Sequence, residues 1–260
     1  MARLITSAAL ALALSAPAFA QEGQWSAADE YYDTVEMDEA RRQLQHEGGG
    51  TRHLFLQADR LEYQSNDGAP LLVWDAQGWY GGDLNRIWVK TEGEHSLAED
   101  SIEGFEVEAL YSRAITPYFD LQAGLRQDFD PDFETTYAVV GLQGLAPYWF
   151  EVDGAVYLSD LGDLTAGFEA EYELLLTQRL VLQPRAELSF SAQDVPELGL
   201  GAGLSSAEAG ARLRYEIDRQ FAPYIGVSWQ EKFGKTVDFA QLEGEDTHSV
   251  SFVLGVRLWY

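Results

Sequence analysis

The residues able to do chemistry are few, and their types narrow the choice. The 260-residue sequence has no cysteine and four histidines, His46, His53, His95 and His248. Two histidines have a serine neighbour, His95-Ser96 and His248-Ser249. Neither pair comes with an evident orienting carboxylate or oxyanion donor, so a membrane hydrolase is disfavoured and the chain reads as a non-enzyme. No His-Glu-x-x-His spacing occurs. Charge is the stronger signal. Asp75, Arg86, Lys90 and Glu92 sit in one short run and Glu106 and Glu108 follow. The formal net charge of −26 repels anions, attracts cations including metal ions, and excludes nucleic acid as a partner.

These side chains need elements that aim them. From about residue 52 onward the dominant period is two. Ile87, Val89 and Thr91 alternate with Arg86, Trp88, Lys90 and Glu92; Phe105, Val107, Ala109 and Tyr111 alternate with Glu106, Glu108 and Ser112. The same pattern recurs over 119–126, 150–158 and 164–174. Repeated alternation over about ten residues marks strands with one apolar and one polar face, long enough to cross a bilayer at a tilt. Thirteen Tyr, thirteen Phe, seven Trp and 24 Gly fit a membrane barrel, with rings at the interfaces and glycine on curved walls. The expected fold is all-β: an antiparallel transmembrane β-barrel of about twelve strands.

The chain is expected to divide in three. Residues 1–20, with Arg3, an apolar stretch and Ala18-Phe19-Ala20, read as a cleaved signal peptide. Residues 21–50 read as a short periplasmic tail with a helix started by Asp33 and Glu36, carrying Met37, Ala40 and Leu44 on one face and stopped by Gly48-Gly49-Gly50. Residues 51–260 form the barrel. Short turns are expected at Gly81-Gly82, 114–117, 145–147, 177–179 and 218–223, and longer acidic loops at 94–101, 128–134, 193–206 and 233–246. Thr116-Pro117-Tyr118, Ala146-Pro147-Tyr148-Trp149 and Ala222-Pro223-Tyr224 place a ring after a proline, which suits the membrane rim. Val250, Phe252, Leu254, Val256, Leu258 and Tyr260 form an outward apolar row on the last strand. Together these features place the chain in the outer membrane of a Gram-negative bacterium, in contact with its lipid.

If Gly81-Gly82 is a two-residue hairpin turn, Gln77 faces Arg86, Asp75 faces Trp88 and Val73 faces Lys90. The next hairpin brings Glu106 near Lys90. Alternation puts Asp75, Arg86, Lys90, Glu106 and Glu108 on the lumen side as a ladder of opposite charges. Such a ladder has a structural reading, paired charges filling a narrow lumen, and a functional one, a wall that handles cations.

The run Trp74-Asp75-Ala76-Gln77-Gly78-Trp79-Tyr80-Gly81-Gly82-Asp83-Leu84-Asn85-Arg86, with Trp88 and Lys90-Thr91-Glu92-Gly93-Glu94, resembles the signature of the CopB/PcoB family of outer-membrane copper resistance proteins. Leu61-Glu62-Tyr63, Pro147-Tyr148-Trp149-Phe150-Glu151 and the closing Val256-Arg257-Leu258-Trp259-Tyr260 extend the likeness. The resemblance implies a monomeric barrel that protects against excess copper by binding the ion or moving it across the outer membrane, with a periplasmic multicopper oxidase as a partner. Many members carry a long N-terminal stretch rich in Met and His; here only Met37 and His46 represent it. Copper handling must then fall to the barrel and its loops. The candidate ligands are His53 and Asp59 on one face of the first strand, Glu92, Glu94 and His95 as a Glu-x-Glu-His run, and His46 with Met37 in the tail. Carboxylate and imidazole without thiolate suit Cu(II) better than Cu(I). The alternative is a structural or narrow diffusion barrel without specific metal handling.

Overall fold

The computed structural model describes residues 27–49, 51–66, 69–131 and 134–260. The signal segment expected at 1–20 and Asp132 of an expected acidic loop lie outside these residues. The chain forms two units, 1–51 and 52–260. In the first, α1 (Thr34–Leu44) begins where Asp33 Oδ1 accepts the amides of Val35 at 2.9 Å and Glu36 at 3.3 Å, an N-cap that satisfies otherwise orphaned donors. A single π-helical turn, Gln45–Gly49, follows it.

The second unit is a closed antiparallel barrel. Its segments are β1 (His53–Gln64), β2 (Leu71–Gly81), β3 (Asn85–Ser96), β4 (Ser101–Ala114), β5 (Phe119–Phe129), β6 (Glu134–Ala146), β7 (Phe150–Ser159), β8 (Leu164–Glu171), β9 (Leu174–Leu175), β10 (Leu180–Ser191), β11 (Gly203–Tyr215), β12 (Phe221–Lys232) and β13 (His248–Trp259). β8 and β9 both pair with β10 and share one wall position, so thirteen segments make twelve staves. β1 pairs with β13 and closes the ring. Closure leaves no unpaired backbone edge, the condition for a sheet to stand in hydrocarbon.

The burial pattern is inverted relative to a water-soluble fold. Phe252 is 74 % exposed and Leu254 60 %, whereas Arg60, Glu62, Arg185, Arg212 and Arg214 are buried. An apolar outside and a polar inside fit a wall that faces lipid.

The β2–β3 turn does not sit on Gly81-Gly82. Gly81 lies opposite Arg86, and the Gly82 amide donates to the Asn85 carbonyl at 3.1 Å. Neither glycine adopts the positive φ that a two-residue hairpin turn requires. Gln77 therefore faces Lys90, Asp75 faces Glu92 and Val73 faces Glu94. The turn moves two residues along the chain and each partner moves by four, an even offset, so every side chain of this hairpin stays on its expected face. Glu106 faces Glu92 rather than Lys90, whose opposite residue is Glu108. The loops expected at 94–101 and 128–134 are short, because β3 and β4 run to Ser96 and from Ser101, and β5 and β6 to Phe129 and from Glu134. The long connections are 192–202 and 233–247, the latter carrying α2 (Lys235–Glu243). Finally, Tyr224 is not a rim residue: it lies in β12, is 4 % exposed, and its hydroxyl donates to Glu62 at 3.0 Å.

Candidate functional site

The lumen carries the chemistry, and its wall falls into two sectors. The first spans β10, β11, β13 and β1 and is rich in arginine. β1 contains a bulge at Asp59: the pairing skips from Ala58 to Arg60 against β2. A bulge inserts one residue and reverses the alternation beyond it. Asp59 and Arg60 consequently both reach the interior, Asp59 2.7 Å from Arg257 Nε and Arg60 3.4 Å from Asp75 and also paired with Glu92. Arg212 grips Glu62 with two hydrogen bonds, 2.9 and 2.8 Å. Arg185 grips Glu169 at 2.6 and 2.9 Å and also binds Glu187 at 2.9 Å. Arg214 and Arg257 meet on Glu173 at 2.8 and 2.5 Å. Glu208 sits among three of these guanidinium groups, 3.8 Å from Arg60, 3.8 Å from Arg185 and 4.0 Å from Arg212. Planar forks matched to carboxylates are the strongest arrangement available to buried charges.

The second sector, β2 to β8, is dominated by carboxylates. Asp75, Glu92, Glu106 and Asp128 occupy directly paired positions on four successive strands. Like charges placed opposite one another are destabilising, and cations sit at both ends of the row: Arg60 at Asp75 and Glu92, Arg126 at Glu106 (2.5 Å) and Asp128 (2.5 Å). Next to this row, Lys90 reaches across to Asp153 on β7, Nζ to Oδ2 2.5 Å. Arg86 pairs with Asp120 at 3.0 Å and stacks on Trp79 at 4.7 Å. The lumen beside this sector holds a cavity of about 690 Å³ lined by thirteen carboxylates and three cations, Lys90, Arg126 and Arg257; Asp59, Glu187 and Arg257 of the first sector complete its wall. Among the described residues, five lining carboxylates, Glu94, Glu108, Asp130, Glu151 and Glu171, have no ion pair within 4.0 Å.

The ladder of Asp75, Arg86, Lys90, Glu106 and Glu108 therefore exists with a changed register. The proposed metal ligands are dispersed. His53 is exposed at the start of β1 opposite Gly81, six residues or roughly 20 Å along the strand from Asp59. Glu92 and Glu94 face the lumen, while His95, one residue on, takes the opposite face of β3, with Nε2 3.4 Å from Asp100. Met37 lies in α1 and His46 in the turn after it, about 14 Å apart at helical rise. Among the described residues no three His, Asp or Glu side chains form a group that could hold a metal ion.

Sequence reasoning missed the arginine sector. Arg212 and Arg214 alternate with Ala211 and Leu213, so their inward direction was legible. Arg60 was not, because the bulge shifts it relative to His53.

Taken together, an apolar exterior, a closed twelve-stave wall and a charged lumen define a porin-like membrane β-barrel. Solved structures of the NanC porin (TM-score 0.52, 14% identity, 79% of this chain and 99% of that one) and the KdgM porin (TM-score 0.50, 13% identity, 78% and 98%) share this fold. Residues 52–260 match the family model described as copper resistance protein B precursor (CopB), and the chain belongs to that family. It is 48% identical over 202 residues to copper resistance protein B of Escherichia coli, covering 78% of this chain and 68% of that relative. To the copper resistance protein B homolog of Pseudomonas syringae pv. tomato it is 44% identical over 206 residues, 79% and 69% of the two chains.

Proposed function

We propose that this barrel stands in the outer membrane, short turns inward and the long 192–202 and 233–247 loops outward, and supports copper resistance by admitting or holding copper ions in its acidic lumen. The observation that carries the reading is the cavity lined by thirteen carboxylates and three cations, within a chain of net charge −26. Such a lining raises local cation concentration and repels anions. The oxygen-rich, sulfur-free lining favours Cu(II). A periplasmic multicopper oxidase would be a fitting partner, taking or delivering the ion at the turn end of the barrel, and a single barrel suffices for the role.

The test is direct. Deleting the gene in its own host is expected to change copper tolerance, and the wild-type gene to restore it. Purified barrel analysed for metal is expected to retain Cu(II) in preference to Cu(I). Unchanged tolerance together with no copper retained removes the proposal. A structural barrel without metal handling predicts that negative result. His53→Ala and His95→Ala then ask whether the histidines contribute; equal copper retention in both would assign the role to the lumen carboxylates alone.

A further inference from the structure

We propose that Lys90 is a tethered cation that occupies, at rest, the place a travelling divalent ion takes between Glu108 and Asp153. The proposal rests on the copper reading above and deepens it by naming the point of passage. Lys90 lies directly opposite Glu108 on the neighbouring strand. Its ammonium ignores that neighbour and crosses the lumen to Asp153 on β7, 2.5 Å away. On the other side of Glu108, Arg126 is also directly opposite, but its fork is committed to Glu106 and Asp128 at 2.5 Å each. Glu108 is thus flanked by two cations and held by neither. It is 5 % exposed and lines the cavity, and among the described residues the hydrogen bonds and ion pairs of its two cationic neighbours all go elsewhere.

The Glu108 carboxylate opens onto the cavity and is not among the side-chain atoms sealed away without a partner; an acceptor that faces the lumen with no fixed cation on it attracts a mobile one. An ion passing between Glu108 and Asp153 would meet two carboxylates, with water completing its shell. That is a weak, oxygen-only site suited to passage of Cu(II) rather than to storage. The lysine has somewhere to go when displaced: the Trp88 ring lies 6.0 Å from Nζ, within reach of a cation–π contact. Lysine suits this task because its ammonium is a single mobile point charge on a flexible stem.

The experiment uses the full-length barrel in liposomes that enclose a dye quenched by Cu(II). Lys90→Met and Lys90→Gln are both expected to admit Cu(II) about tenfold faster than wild type, in the range of ordinary coupling between sites. Glu108→Gln in the Lys90→Met background is expected to cancel the gain. Heat-modifiable mobility verifies that each variant is folded. Entry at the wild-type rate in both Lys90 variants overturns the inference. Should neither Lys90 variant insert, Glu108→Gln alone decides: slower Cu(II) entry upholds the site and unchanged entry overturns it. Copper tolerance of the deletion strain is read separately, so a failed passage site and a failed copper role give different results.

Discussion

The arginine sector and the carboxylate sector stand in one lumen and solve opposite problems. On β10, β11, β13 and β1, charges are matched: Glu62 is fully buried and receives Arg212 through two hydrogen bonds and the Tyr224 hydroxyl through a third. On β2 to β8, carboxylates outnumber cations, and Glu94, Glu108, Asp130, Glu151 and Glu171 are left without ion pairs among the described residues. Paired buried charges lock geometry, because removing either partner strands the other. Unpaired carboxylates beside a cavity add little to rigidity and are free to meet a mobile cation. Lumen charge is here divided between holding the wall and facing the cavity.

The largest effect that could break this division is at the matched pair. Arg212→Leu leaves Glu62 charged and buried, and is expected to cost about 3–5 kcal/mol of barrel stability. The doubly substituted Arg212→Leu, Glu62→Leu barrel should recover most of that loss. Urea unfolding in detergent micelles, followed by tryptophan fluorescence, reads both. A loss below about 1 kcal/mol for the single variant would mean that the sector is solvated and its pairing is not structural.

What stabilises the carboxylate sector should lie on its outer face. A Cβ on Gly93 would fall 2.2 Å from Trp74 Cζ2 and 2.6 Å from Phe105 Cβ, so Trp74 lies over the glycine and packs toward Phe105 and Phe129. Gly93→Ala is expected to cost about 1–3 kcal/mol by displacing that ring. If stability is unchanged in the same unfolding measurement, the outer aromatic row is not the sector's support.

This packing gives the family-like run a physical meaning that spacing alone did not supply. Its tryptophans divide by parity: Trp74 packs on the outside, while Trp79 and Trp88 face inward, ring centroids 6.3 Å apart, with Arg86 over Trp79. Which face each residue takes was legible, because parity survives an even error in register. Register was not legible: it depended on whether Gly81 and Gly82 take positive φ, and they do not. Gly81 instead allows close approach, since a Cβ there would meet the Asn85 carbonyl at 2.3 Å. The bulge at Asp59 was equally hidden, and with it the inward direction of Arg60. Cross-lumen contacts such as Lys90 to Asp153 join strands far apart in sequence, and no local pattern specifies them.

Neutralising unpaired carboxylates should change selectivity and leave stability alone. Glu94→Gln and Glu151→Gln should leave unfolding free energy within about 0.5 kcal/mol of wild type, the usual range away from matched features. The same substitutions should lower the preference for cations over anions, read from the zero-current potential of the barrel in a planar bilayer under a KCl gradient. A clear stability loss with unchanged selectivity would reverse the roles assigned to the two sectors.

The smallest effect concerns the loops above the lumen. Connection 192–202 is clasped to 233–247 by an ion pair between Asp194 and Lys235 and by the Gly201 amide donating to Thr236 Oγ1 at 2.9 Å. The Lys235 ammonium and then the Ala202 amide, which donates to Asp194 at 2.9 Å, hold the Asp194 carboxyl below the usual carboxylate range. A group whose folded pKa is depressed contributes stability above its unfolded value and loses it as pH falls through the folded one. The clasp should therefore be intact at neutral pH and through the ordinary carboxylate range, and loosen only in stronger acid. Amide exchange at Ala202 tests this: its protection should persist to about pH 4, where an unperturbed aspartate is half protonated, and decline below that. In Lys235→Met the decline should move to higher pH, because the main cause of the depression is gone. An unmoved profile would mean that the backbone of the two loops, and not this exposed ion pair, holds them together.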